Sequence, residues 1–217
     1  MSLPCLWLML ETRPAPAAPA WLPELPADFA QGMTLLLYLL GLMWALALVD
    51  LLLFRRVLNH LSIQPRRLQG LPGIVLAPLL HGDFGHLIAN TGPLAILGTL
   101  ILFQGLEVWG WVTGFCWLFS GIGIWLLGRP HTKHLGASGV AFGYLGYLLL
   151  RGYFQRSLPT MAVSVLVGVV YGGVLWGLLP LQRGKSWVGH SVGFLGGVLV
   201  ARDLELMLEW WRNNSGF

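Results

Sequence analysis

The chain has 217 residues, of which 56% are hydrophobic and only 10% charged, and its mean hydropathy is +0.70. Soluble domains carry roughly 25% charged residues, so the composition excludes an ordinary soluble enzyme and implies a single membrane-embedded bundle. The net charge of +4 is spread over loop ends, which suits lipid headgroups and argues against nucleic acid as a partner. Residues 1–10 are apolar but too short to span a bilayer, and no basic segment precedes them, so a cleaved signal peptide is not expected. Residues 1–30 form an N-terminal tail, rich in Pro and Ala from position 12 onward.

The first span is expected from about Met33 to Phe54, ending at Arg55-Arg56. The long connection 55–82 carries the apolar run Leu68–Leu80, broken by Pro72 and Pro78. That run is too short to cross, so a partly membrane-immersed loop between helices 1 and 2 is expected. The second span, Phe84 to Phe103, opens on polar residues: His81, Asp83, His86 and Asn90. His86 and Asn90 are four apart and share one helix face. The third span covers about Val108 to Leu127.

Gly128 to His134 is polar and proline-broken, and reads as a loop. A fourth span starts at Ser138, inside Gly136-Ala137-Ser138-Gly139, and is closed by Arg151. The fifth runs from about Leu158 to Leu179, Pro180 to Lys185 forms a polar turn, and the sixth runs from Trp187 to Val200. A charged amphipathic segment, Arg202 to Arg212, follows. The expected architecture is an all-α membrane protein with six spans and no internal repeat. Residues 31–210 make its one domain, and 211–217 a C-terminal tail.

Ser138 stands 13 residues before Arg151, about 20 Å along a helix. A hydrocarbon core is about 30 Å thick. With Arg151 at one interface, the hydroxyl lies below the other, and intramembrane polar groups of this kind mark function. His190 stands 12 residues before Arg202, about 18 Å. With six alternating spans, Ser138 and His190 share one depth, measured from one membrane face, and His86 and Asn90 face the same side. Gly139, Gly143 and Gly146 on one span, and Gly193 and Gly197 on the other, let two helices approach closely. A serine and an imidazole in contact are a nucleophile and its base.

Each signal alone has a plainer reading. The glycines suit helix packing, His190 a hydrogen-bonded structural histidine, and His86 with Asn90 interhelical glue. Their coincidence at one depth favours a site. His60, His131 and His134 read as loop residues at a wet interface, and His81 as a residue ordering the loop above the site. The tryptophans fall near span ends, where aromatic belts form. Between Val108 and Arg202 the chain has no Asp or Glu, so a Ser-His-Asp triad has only Asp50, Asp83 or Glu107 to draw on. There is no His-Glu-x-x-His for zinc and no pair of mid-span aspartates. Cys5 and Cys116 lack metal or disulfide spacing, so no metal and no cofactor is expected.

On these residues the chain resembles the rhomboid intramembrane serine proteases. The matching motifs are His81-(four)-His86-Leu87-(two)-Asn90, then Gly136-Ala137-Ser138-Gly139, then His190-(two)-Gly193-(three)-Gly197. They lie within residues 33–209. The resemblance implies Ser138 as nucleophile and His190 as general base, without a third acid. It also implies an oxyanion site of His86, Asn90 and the Ser138 backbone N–H, with Gly136 shaping the loop beside it. Phe142 stands where the family often has Tyr packed on the histidine, and Gly189 where Ala is more usual.

The implied activity is endoproteolysis of transmembrane protein substrates within the lipid bilayer, in the plasma membrane of a prokaryote. The other class is a rhomboid-like membrane-protein binding or dislocation factor without protease activity; intact Ser138 and His190 argue against it. Eight of the 13 lysines and arginines, among them Arg55, Arg56, Arg183 and Lys185, fall on the site's side. The positive-inside rule then turns the site toward the cytoplasm, whereas the family topology turns it outward.

Overall fold

The computed structural model describes residues 25–53, 56–180 and 186–214. Most of the two expected tails, Arg13, Arg55, Arg183, Lys185 and the turn 181–185 lie outside the described residues. Among the described residues six long helices carry the fold: α1 Phe29–Leu52, α2 Phe84–Leu102, α3 Leu106–Leu127, α4 Ser138–Gln155, α5 Leu158–Tyr171 and α6 Trp187–Asn214. Between α1 and α2 the chain makes only short helical pieces, from Val57 to Leu79. A 3-10 segment, Gly172–Leu178, extends α5. The sole strand-like feature among the described residues is the bridge between Ile63 and His134.

Among the described residues, four helices are long and apolar enough to cross a membrane: Phe29–Leu52, Phe84–Leu102, Leu106–Leu127 and the run Leu158–Leu178. Sequence reasoning expects six. The two that fall short, α4 and α6, differ in a physically informative way. They carry Gly139, Gly143, Gly146 and Arg151, and Gly193, Gly196, Gly197, Arg202 and Glu205, in place of the aliphatic residues of the others. What they lack in apolar side chains they have in backbone contact. Every residue of α4 from Gly139 to Leu148 is buried, so it is the central post, with α2, α3, α5 and α6 around it. The Leu158–Leu178 run is instead peripheral, with 6% of its apolar window buried.

Close packing of α4 on α6 depends on glycine. A Cβ on Gly193 would overlap the carbonyl oxygen of Gly139, and one on Gly197 that of Gly143. Gly146 returns the relation against the Phe194 carbonyl. Gly139 and Gly143 themselves point at Ser120 and Cys116 of α3. The expected glycine contact between these two helices is therefore present, with α6 supplying the inserted face and α4 sandwiched between it and α3.

Helix ends are fixed locally and at long range. Asp83 Oδ1 accepts the N–H of His86 at 2.8 Å and starts α2. Ser157 Oγ accepts Thr160 N–H and starts α5. Asp28 reaches across the fold, its Oδ2 accepting the Leu106 N–H at the start of α3 at 3.0 Å.

Arg151 does not mark the end of its helix. The helix continues to Gln155, and the Arg151 side chain is 8% exposed, ion-paired to Glu205 of α6 at 2.7 Å. It also donates to the Ala201 carbonyl at 3.2 Å. Its Glu205 partner is 70% exposed, so the pair joins α4 and α6 where the two helices reach the surface.

Candidate functional site

Ser138 is the first residue of α4. A helix's first N–H groups have no intrahelical acceptor and carry the positive end of the macrodipole, so its backbone offers donors beside its hydroxyl. The approach to it is set by Gly136, whose φ of +98° suits glycine and whose N–H donates to the Ala77 carbonyl at 2.9 Å. A Cβ there would also run into the His86 ring and lie 3.1 Å from Asn90 Nδ2. Gly136, His86 and Asn90 thus meet two residues ahead of Ser138.

His190, on the first turns of α6, is 7% exposed. Its Nε2 lies 3.1 Å from Ser138 Oγ. Its Nδ1 lies 2.9 Å from the Gly177 carbonyl oxygen, which only accepts, so Nδ1 carries the proton and Nε2 is left to accept from the serine. Phe142 stacks on the imidazole, centroids 4.2 Å apart and planes within 11°. The ring at this position therefore packs on the histidine without a tyrosine hydroxyl.

Gly177 is a residue that sequence reasoning misses. It lies in the 3-10 segment after α5, and a Cβ on it would come within 2.8 Å of Phe142 Cζ. Glycine lets the carbonyl come close to His190 while Phe142 keeps its stacking. A glycine-rich run, Gly172-Gly173 to Gly177, is the only trace of this in the sequence.

His81 is more deeply engaged than a loop-ordering role implies. It is buried, its Nε2 is 3.0 Å from Asn90 Nδ2, and its ring meets that of His86 edge-on at 5.2 Å. Burial, and then the neighbouring His86, pushes its pKa down to about 4. The ring is neutral at physiological pH, and its Nε2 accepts one Asn90 amide hydrogen, leaving the other for the site. Asp83 caps α2, and buried Asp50 accepts the Leu58 N–H at 2.9 Å, so both have structural partners. His131 is exposed and meets Arg67 at 3.2 Å. His134, expected at a wet interface, is instead half-buried and bonded through both ring nitrogens.

A cavity of about 20 Å³ adjoins Ser138, with Gly136, His134, Ser186 and Ser120 in its wall. No group of three or more His, Cys, Asp or Glu among the described residues is arranged to hold a metal ion.

The fold and the residues brought together define an integral membrane protein with a serine and a histidine in contact among packed helices. A family model described as Rhomboid domain matches residues 69–204, and the chain belongs to the rhomboid family. It is similar to an uncharacterized protein of Mycobacterium tuberculosis, 39% identical over 178 residues that cover 78% of this chain and 74% of that one. An uncharacterized protein of Mycobacterium leprae is likewise 39% identical, over 78% of this chain and 70% of its own length.

Proposed function

We propose that the protein is an intramembrane serine endopeptidase that cleaves transmembrane segments through a Ser138–His190 dyad. The observation that carries this reading is the 3.1 Å approach of Ser138 Oγ to a His190 Nε2 whose tautomer is fixed by Gly177. His190 Nε2 takes the hydroxyl proton as Oγ attacks the peptide carbonyl carbon. The same imidazole then gives that proton to the departing amine nitrogen, leaving an acyl-serine. Water hydrolyses the ester, its proton passing through His190 and back to Ser138 Oγ. Asn90, His86 and the Ser138 N–H face the developing oxyanion.

In this reading α4 and α6 also cross the bilayer, making six spans in a domain of residues 31–210, between tails 1–30 and 211–217. The pieces from Val57 to Leu79 lie partly immersed, in the plasma membrane of a prokaryote. Substrate helices must unwind before their carbonyls can be reached, so Gly, Ala, Ser or Pro near the cleavage point favours cutting.

A fluorophosphonate probe tests the reading directly. Wild type is expected to be labelled and Ser138→Ala not; an unlabelled wild type leaves the binding or dislocation role instead. Removing one oxyanion donor costs about 10²–10³ in rate, so Asn90→Ala and His86→Ala should each lose kcat in that range with insertion intact. Wild-type cleavage by either variant would reduce that residue to helix glue. Gly177→Ala displaces the Phe142 ring, and a 1 Å misplacement is worth about 10²-fold. Its cleavage and labelling rates should fall together by a factor of that order or somewhat less.

A further inference from the structure

A second hydrogen-bonded chain lies beside the Ser138–His190 pair. His134 Nδ1 is 2.8 Å from Ser186 Oγ, and its Nε2 is 2.7 Å from Thr132 Oγ1. The Thr132 hydroxyl lies 2.6 Å from the Arg129 carbonyl oxygen, to which it can only donate. Its oxygen therefore accepts from His134 Nε2–H. That leaves Nδ1 bare, with Ser186 Oγ–H donating to it, while Ser186 Oγ accepts the Gly189 N–H at 3.3 Å. Every hydrogen is placed with a neutral ring, and burial, which pushes the His134 pKa down, favours that form.

Both ends of this bond are anchored. The His134 backbone exchanges two hydrogen bonds with Ile63, each 3.0 Å, and Ile63 is 2% exposed. Ser186 occupies the N-cap position of α6, its carbonyl accepting the His190 N–H at 3.0 Å. His134 stands four residues before Ser138, and Ser186 four before His190. The two segments that carry the pair are thus joined twice, once at the pair and once four residues upstream.

We propose that His134 is a positioning residue. Its bond to Ser186 fixes where α6 begins and so holds His190 Nε2 against Ser138 Oγ. The consequence for rate rests on the protease reading. The test uses the full chain in proteoliposomes, with cleavage of a reporter transmembrane substrate, fluorophosphonate labelling and a thermal melt. His134→Ala and Ser186→Ala should each lower kcat about tenfold to a hundredfold, with KM changed less than about twofold.

Both remove the His134–Ser186 bond, and Ser186→Ala also removes the cap on the Gly189 N–H, so the double variant should be no slower than Ser186→Ala. His134→Asn sets an amide oxygen where Nδ1 stands, and Ser186→Thr keeps the hydroxyl; each should recover most of the rate. His131→Ala, in the same loop, should cleave at the wild-type rate. Wild-type kcat in either alanine variant overturns the inference. So do losses that multiply in the double, or no recovery by the conservative variants. Should His134→Ala fail to fold, the comparison of His134→Leu with the near-isosteric His134→Asn, which alone can accept from Ser186, decides. A wild-type chain that neither cleaves nor labels overturns the protease reading first, and that result is visible before any variant is made.

Discussion

Ser138→Ala and His190→Ala are each expected to bring cleavage of a reporter transmembrane substrate down to background, a loss of about 10⁴-fold or more. Asp50→Asn and Asp83→Asn should keep most of the activity. The contrast follows from what each group touches. His190 Nδ1 is turned to the Gly177 carbonyl and its face to Phe142. The two aspartates instead serve backbone N–H groups, at Leu58 and His86. An asparagine caps a helix about as well as an aspartate, so Asp83→Asn should also leave α2 standing. Inactivity of a folded Asp50→Asn or Asp83→Asn would show that a carboxylate takes part after all.

Gly193→Val should silence cleavage while the chain still inserts. No rotamer avoids the clash, because Cβ itself falls on the Gly139 carbonyl oxygen; the helices must separate at the level of the Ser138–His190 contact. A displacement of 1 Å is worth about 10²-fold, and a valine demands at least that. Gly172→Val meets open space, and Gly168→Val meets only Leu149 at 3.5 Å, so both should be mild. Probe labelling of Ser138 beside reporter cleavage reads the difference. Full activity in Gly193→Val would mean that the glycines do not bring base and nucleophile together.

The long helices and the serine-histidine contact are legible in the sequence because both have residue-type signatures: apolar runs between charged ends, and glycines three and four apart. Helix starts and stops are less so. The span expected to Val200 and the charged amphipathic segment expected after it form one helix to Asn214, because charged residues on an amphipathic face do not interrupt it. The ion pair of Arg151 is not legible, since its partner, Glu205, is far along the chain and on another helix. Gly177 and His134 escape for a different reason. Each acts through a backbone carbonyl or a single hydroxyl, and a carbonyl belongs to every residue alike. Among 29 glycines, nothing in the composition distinguishes the one whose oxygen meets an imidazole.

The Arg151–Glu205 pair has a consequence for how the chain is made. The two residues are 54 positions apart, and the arginine leaves the ribosome first. Until α6 is made, the guanidinium on α4 has no carboxylate from that helix and must find its polar partners by reaching outward along its apolar stem. The last turns of α4 therefore gain their ion pair only once α6 is in place. A chain cut short before Glu205 keeps the arginine and loses its ion pair, so its α4 lacks a partner that the finished fold supplies.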